Sequence, residues 1–174
     1  MNTTSLLAAI ALAAVALASI ATDAQARERA RTVDRSAQGG HVAASRSNAK
    51  FDSQRQRDWK ADGQGNVAGS SSGSIAGANG GGAARQGSAY RNADGSAGRQ
   101  GSASVSGPNG GSAATSGSIA RSADGSVAGS RTTSATGANG NGYNGSTTVS
   151  NGNVTHSGTC TNAAGETIAC RGDR

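Results

Sequence analysis

The sequence has very few of the side chains from which a hydrophobic core is built. One tryptophan, two tyrosines and one phenylalanine are its only aromatic residues, and no leucine or methionine follows position 26. At about 25 cal/mol per Å² of buried apolar surface, the few that remain cannot offset the entropy of ordering so long a chain. We therefore do not expect a conventional globular enzyme. Beyond position 26 the larger aliphatic residues and phenylalanine are Val33, Val42, Phe51, Val67, Ile75, Val105, Ile119, Val127, Val149, Val154 and Ile168.

Residues for catalysis and metal binding are equally scarce. A metal site needs three or four clustered ligands, and the chain has two histidines and two cysteines without the usual spacing. His156 could pair with Cys160, but an oxidised cysteine beside a surface histidine is the commoner arrangement. Asp94 and Asp124 stand where the neighbouring repeats have asparagine, which favours a turn role over acid–base chemistry. We expect no enzyme activity, no cofactor, no metal and no small-molecule substrate.

The first 26 residues have the layout of a secretory signal peptide. An unbroken run of apolar and small residues covers 6–21, and Ala24-Gln25-Ala26 fits a small-x-small cleavage site. The run is shorter than the about 20 residues of a membrane-spanning helix. We therefore predict an exported chain, secreted, periplasmic or at the cell surface, with no transmembrane segment after cleavage.

The region 27–62 differs from the rest in its charge. The whole chain carries a formal net charge of +6, and this region holds more than half of the basic residues. Its polarity predicts a solvated, mostly disordered basic arm, with a short helix near 49–60 as its only candidate element. The basic residues here are Arg27, Arg29, Arg31, Arg35, Arg46, Lys50, Arg55, Arg57 and Lys60.

The region 63–153 is a Gly/Ser/Ala-rich repeat. A turn-forming residue followed by glycine recurs every 15 residues without a slip, and two alternating 15-residue arms give a 30-residue unit. Flexible linkers need composition but not phase. Asn-Gly and Asp-Gly are strong hairpin signals, typical of type I′ turns. The candidate turn residues are Asn79, Gly80, Asp94, Gly95, Asn109, Gly110, Asp124, Gly125, Asn139 and Gly140.

Regular turns separated by about ten β-tolerant residues predict an all-β repeat. Two arrangements fit the 15- and 30-residue periods, an antiparallel meander and a β-solenoid. The alternative is a largely disordered chain whose repeats reflect duplication alone. The region 154–174 would then form a hairpin and tail that end the sheet.

The positive charge within the repeats permits binding to anions such as nucleic acid, anionic polysaccharide or lipid head groups. Candidate anion-binding residues are Arg85, Arg91, Arg121 and Arg131. Arg91 and Arg121 occupy the same place in equivalent arms, so an ordered sheet would align them. The explanation that we favour from the sequence is that these charges keep a glycine-rich chain soluble and protect sheet edges.

These features predict an exported, non-enzymatic repeat protein that serves as a structural or surface component of the cell envelope or extracellular matrix and self-associates. The alternative is a disordered basic protein that binds anionic polymers such as nucleic acid or polysaccharide.

Cys160 and Cys170 are the only cysteines, and export would place them in an oxidising compartment. A turn near Gly165 would fold the segment so that the two cysteines face each other within disulfide range. Closing a loop of this length stabilises a fold by roughly 3 kcal/mol in the chain-entropy model. The alternative is a bridge between two chains.

We predict that peptide mapping of the non-reduced, exported protein will recover Cys160 linked to Cys170 of the same chain. Mass spectrometry distinguishes the outcomes. Free thiols, or Cys160 linked to a second chain, would contradict an intramolecular bridge.

Overall fold

The computed structural model of this protein describes residues 27–170, and the predicted signal peptide lies outside them. They form one open sheet of eleven antiparallel strands, each paired with its neighbours in sequence. The strands are β1 (Glu28–Ser36), β2 (Gly39–Asn48), β3 (Phe51–Ala61), β4 (Val67–Gly77), β5 (Gly82–Arg91), β6 (Ala97–Ser106), β7 (Ser112–Arg121), β8 (Val127–Thr136), β9 (Gly142–Ser150), β10 (Asn153–Thr161) and β11 (Thr167–Ile168). The sheet is therefore all-β and a meander, not a solenoid.

The turns explain why the register never slips. At Asn92, the N–H donates to the Ser96 carbonyl at 2.8 Å and the carbonyl accepts from the Gly95 N–H at 3.1 Å. This is a type I turn followed by a left-handed glycine, here with φ +85°. Further turns share both hydrogen bonds, those beginning at Gly77, Gly107, Ser122, Gly137 and Asn162.

The expected type I′ geometry is wrong for these turns. A type I′ turn needs positive φ at both central residues, and here only the glycine has it. The Asn151–Gly152 turn between β9 and β10 does have φ of +47° and +87°. It joins the strands with only two residues, and asparagine and glycine are the residues that best tolerate the positive φ of a type I′ turn.

The two faces of the sheet carry different side chains. Directly paired residues point to the same side and successive residues to opposite sides, so the pairing register assigns every strand residue to a face. The arginine face comprises the odd-numbered residues of β1 and β3–β9 and the even-numbered residues of β2, β10 and β11. The remaining strand residues form the hydroxyl face, which is rich in serine and threonine.

The sheet is a single layer, and none of its described side chains is buried. In a globular protein, valine, isoleucine and phenylalanine would form the core. Here the arginine face holds every valine, isoleucine and phenylalanine of the described strands. They cover one another only partly, so that Val105 keeps 51% and Val154 keeps 65% of its surface exposed. Cross-strand contacts of this kind, and not a second layer, stabilise the side chains.

Aromatic rings cover glycines on neighbouring strands. A Cβ placed on Gly40 would overlap the indole of Trp59, its direct partner on β3. A Cβ on Gly98 would lie 2.6 Å from the ring of Tyr90, and one on Gly158 2.9 Å from the ring of Tyr143. The glycines thus make room for rings that shield the backbone of a thin sheet.

The prediction of a disordered basic arm is wrong, because 27–62 contains β1, β2 and β3 and no helix. High charge does not prevent strand formation here, since a single-layer sheet has no buried face that would exclude charged side chains. Arginine also has a long aliphatic stem that packs along neighbouring strands. A sequence with too few apolar residues to build a core can therefore still form a sheet of this kind.

The disulfide between Cys160 and Cys170 is present, with a Cα–Cα distance of 5.3 Å. The predicted register differs by two residues, because Cys160 pairs directly with Ile168. A five-residue turn, Asn162 to Glu166, centres the hairpin one residue before Gly165. The bridge therefore joins β10 to the chain just beyond β11.

We predict that Gly125→Ala lowers the free energy of unfolding by about 1–2 kcal/mol, the cost of a left-handed residue with a side chain. Gly125 has φ +88°, and a methyl group placed on it would meet no atom within 4 Å beyond its chain neighbours, so only backbone strain is added. Chemical denaturation measures the change.

Gly107→Ala is the matched control. Gly107 begins an equivalent turn but does not have a positive φ, and a Cβ there would meet its nearest atom at 3.5 Å. Equal stability of the two variants would contradict the turn geometry.

Candidate functional site

The arginine face collects most of the positive charge of the sheet, and Lys60 of β3 is the one arginine or lysine of the described strands that lies on the hydroxyl face. Every arginine within a strand lies on it, and all of these side chains are exposed. They are Arg29, Arg31, Arg35, Arg46, Arg55, Arg57, Arg85, Arg91, Arg99, Arg121 and Arg131. The strand carboxylates, those of Glu28, Asp34, Asp52 and Asp58, all lie on the hydroxyl face.

The four arginines predicted to bind anions therefore share this face. Arg91 and Arg121 stand in one cross-strand row, separated by Ala97 of the strand between them. Because neighbouring strands are about 4.8 Å apart, these two arginines are spaced by about 10 Å. Arg85 lies on the same strand as Arg91, and the Arg131 Nε donates a hydrogen bond to Thr115 Oγ1 at 2.9 Å.

The contribution of β1 to β3 to this face was not foreseen from the sequence. Arg31, Arg55 and Arg85 form another row, on β1, β3 and β5, with Ala44 and Gly73 on the strands between. The signal was present in the alternation of arginine at 29, 31 and 35 and at 55 and 57, which has the two-residue period of a strand. The high charge of the segment, which indicated a solvated arm, concealed it.

These guanidinium groups have no carboxylate partner within the described residues. Within the described residues, the one contact between a basic side chain and a carboxylate joins His41 Nδ1 to Asp58 Oδ1 at 2.6 Å, on the hydroxyl face. Guanidinium groups bind carboxylate, sulfate and phosphate through paired N–H donors. The arginine face is thus an array of exposed, uncompensated donors for anions.

Grooves run along this face between the arginines. One of about 760 Å³ contains Trp59 together with Arg35, Arg57 and Arg99, and its floor includes Gly69 and Ala89. A second, of about 1060 Å³, lies toward the opposite ends of the strands and contains Arg31, Arg55 and Arg85 among others. Small residues between the arginines leave the room for both.

The hydroxyl face has a groove of its own, about 1210 Å³ in volume, that crosses the middle of β1 to β10. Serine, threonine, glutamine and asparagine side chains line it, with Gln56, Gln86 and Thr132 in a single row. These uncharged side chains offer hydrogen-bond donors and acceptors, whereas the arginine face on the other side of the sheet offers positive charge.

The histidine and cysteine that the sequence placed close together, His156 and Cys160, each bond to neighbouring residues. His156 bonds to Tyr143 Oη at 3.2 Å and to Thr147 Oγ1 at 2.8 Å, and Cys160 is in its disulfide. Residues 27–170 contain no group of three or more His, Cys, Asp or Glu side chains placed to hold a metal ion. In that same part of the chain, no helix has the length and apolar character to cross a membrane.

Comparisons of the chain with protein families, with characterised proteins and with solved structures found no match.

The predicted turn residues lie in the turns that connect the strands of the repeat. Asp94 Oδ1 accepts from the Ser96 N–H at 2.8 Å and from the Ser96 hydroxyl at 2.7 Å. Asp124 makes the same two bonds with Ser126. The hydrogen bond from the serine hydroxyl is the main reason that the pKa of each carboxyl lies below its usual range, and the hydrogen bond from the serine backbone N–H lowers that pKa further. The ionised carboxylates therefore stabilise the turns.

We predict that the thermal midpoint falls as the pH is lowered from about 5 to about 2, because the lowered pKa values make protonation cost folding free energy. The stabilisation is present above the ordinary carboxyl pKa and is lost as the pH falls through the lowered one. Calorimetry at a series of pH values measures it.

An Asp94→Asn, Asp124→Asn variant is the control, since asparagine fills equivalent turns at 79, 109 and 139. Its midpoint should fall less steeply with acid. An identical slope in both proteins would contradict a role for these carboxylates.

Proposed function

We propose that this protein is an exported, non-enzymatic structural component of the cell envelope or extracellular matrix, whose arginine face lies against an anionic polymer or surface. The observation that carries the proposal is the segregation of charge. All strand arginines share one face and all strand carboxylates the other.

Solubility alone would not require this segregation. Charges that only keep a chain in solution serve equally well on either face, and mixed signs are then the usual pattern. A face of one sign instead attracts a partner of the opposite sign and orients it. The exposed valines and isoleucines between the arginines add apolar contacts, which suit a partner that is anionic but not wholly polar.

Export is supported by the predicted signal peptide and by the disulfide. Disulfides persist in oxidising compartments and are rare in the cytosol. The bridge between Cys160 and Cys170 ties down the C-terminal end of a sheet in which no described side chain is buried. Such reinforcement is typical of small exported domains.

Self-association is a second candidate role, favoured by the edges of the sheet. Strand β11 pairs with only Cys160 and Thr161 of β10, so the outer edge of β10 from 153 to 159 has no strand partner among the described residues. Within 27–170, the outer edge of β1 is open as well. Unpaired edges accept further strands, and size-exclusion chromatography over a concentration series tests this role.

We predict that the mature protein binds immobilised polyuronate and DNA at about 50 mM salt and is released by about 500 mM, while neutral dextran retains none of it. Replacing Arg85, Arg91, Arg121 and Arg131 by glutamine should weaken the binding about tenfold or more, because four guanidinium contacts are removed. Retention and equilibrium titration provide the measurements.

A variant that changes the other face by the same net charge is the control. Ser72→Glu, Ser104→Glu, Ser130→Glu and Ser157→Glu lie on alternate strands of the hydroxyl face. This variant should keep most of its affinity. Equal losses in both variants would show that net charge, and not the arginine face, governs binding.

A further inference from the structure

The groove around Trp59 differs from the rest of the arginine face in having an aromatic ring. Trp59 is the single tryptophan of the chain and is partly buried, whereas Arg35, Arg57 and Arg99 beside it are exposed. The position of the ring is determined by Gly40, since a Cβ there would overlap it. The indole therefore lies over β2 at Gly40 and keeps part of its surface exposed.

The arginines flank this ring along two directions. Arg35, Trp59 and Arg99 belong to one cross-strand row, on β1, β3 and β6, with small residues on the strands between. The row from Arg35 to Arg99 spans about 24 Å at the usual strand spacing. Arg57 is two residues from Trp59 on the same face, a separation of about 6.6 Å along the strand.

We infer that this groove binds an extended acidic polysaccharide, with one sugar ring stacked on Trp59 and the carboxylates of its neighbours on Arg35, Arg57 and Arg99. The inference rests on the proposed anion-binding role of the arginine face and names its ligand class and site. A pyranose ring presents C–H groups to an aromatic surface on one side, and its carboxylates project from the edge where guanidinium groups reach them. A linear chain of such units follows the direction of the row.

Nucleic acid and lipid fit this groove less well. Single strands are held by several aromatic rings on which successive bases stack, and this groove has one. Membrane binding depends on large apolar side chains that enter the lipid, but here the apolar neighbour Val42 is short and lies among longer arginines. Both classes are nevertheless compared in the experiment.

The single tryptophan makes the test direct. We expect oligogalacturonate to change the fluorescence of Trp59 on binding, and neutral oligosaccharides of equal length to leave it unchanged. The triple variant Arg35→Gln, Arg57→Gln, Arg99→Gln should bind oligogalacturonate at least about tenfold more weakly, through the loss of charge-assisted contacts. The variant Arg91→Gln, Arg121→Gln, Arg131→Gln removes the same charge outside the groove. It weakens the binding of long polyuronate, which reaches those arginines, but should weaken the binding of an oligogalacturonate no longer than the row by at most about threefold.

Two further variants isolate the ring from the charge. Trp59→Ala removes the stacking surface, and Gly40→Ala displaces the indole because the new methyl group occupies its place. Calorimetric titration should show weaker oligogalacturonate binding for both, with DNA binding unchanged. Circular dichroism and thermal midpoints verify that each variant keeps the sheet.

The outcomes separate this inference from the proposed function. If no polyanion binds the mature protein, both fail. If polyanions bind but the two arginine triples lose equal affinity and Trp59 fluorescence does not respond, the anion-binding role of the arginine face stands and the sugar site is wrong. Tighter binding of a DNA oligomer or of phosphatidylglycerol vesicles through Trp59 and the same arginines would also overturn the polysaccharide assignment.

Discussion

Backbone hydrogen bonding between neighbouring strands is the interaction on which the whole structure depends. Because no described side chain is buried, each strand is ordered chiefly through the pairing of its N–H and C=O groups with the strands on either side. Such pairing is modest per bond, so it must be continuous to hold a sheet together. Ten strand-to-strand pairings in one unbroken sequence order supply that continuity.

Continuous pairing requires that every turn keep the same register. A slip of one residue would exchange the two faces of every later strand. The left-handed glycines at 65, 80, 95, 110, 125 and 140 recur at a constant interval, and the residue numbers of the arginine face stay odd from β3 to β9 as a result. The turns also touch one another along each end of the sheet. For example, the Ala93 N–H donates to Asn66 Oδ1 of the adjacent turn at 2.9 Å.

The separation of charge between the faces follows from this register. Arginines 30 residues apart, such as Arg55 and Arg85 or Arg91 and Arg121, fall into rows two strands apart. Serine and threonine at the alternate positions fill the opposite face. A thin sheet of this kind exposes nearly all of its side chains, so that most of its surface is available for contacts. The proposed role as a structural layer depends on that property.

The N-terminal and C-terminal edges of the sheet end in different ways. The outer edge of β1 is open, but its alternating charged residues restrict the strands that can pair with it. At the other edge, the bridge from Cys160 to Cys170 holds β11, which pairs with only two residues, against β10. The sheet thus ends in a charged strand at one side and a covalent link at the other.

The sequence by itself determined the β class, the places of the turns in 63–153, the pairing of the two cysteines and the absence of material for a core. These are local properties, set by glycine, asparagine and aspartate at fixed intervals and by composition. Only the tertiary structure decided that 27–62 joins the sheet, that the strands form a meander, and that Arg35, Trp59 and Arg99 lie in one row. Those outcomes depend on the pairing register between strands. Each turn length sets the register of the next strand, and composition does not reveal turn lengths. The placement of a residue on one face or the other is therefore a property of the whole sheet, because each turn passes its register to the next strand.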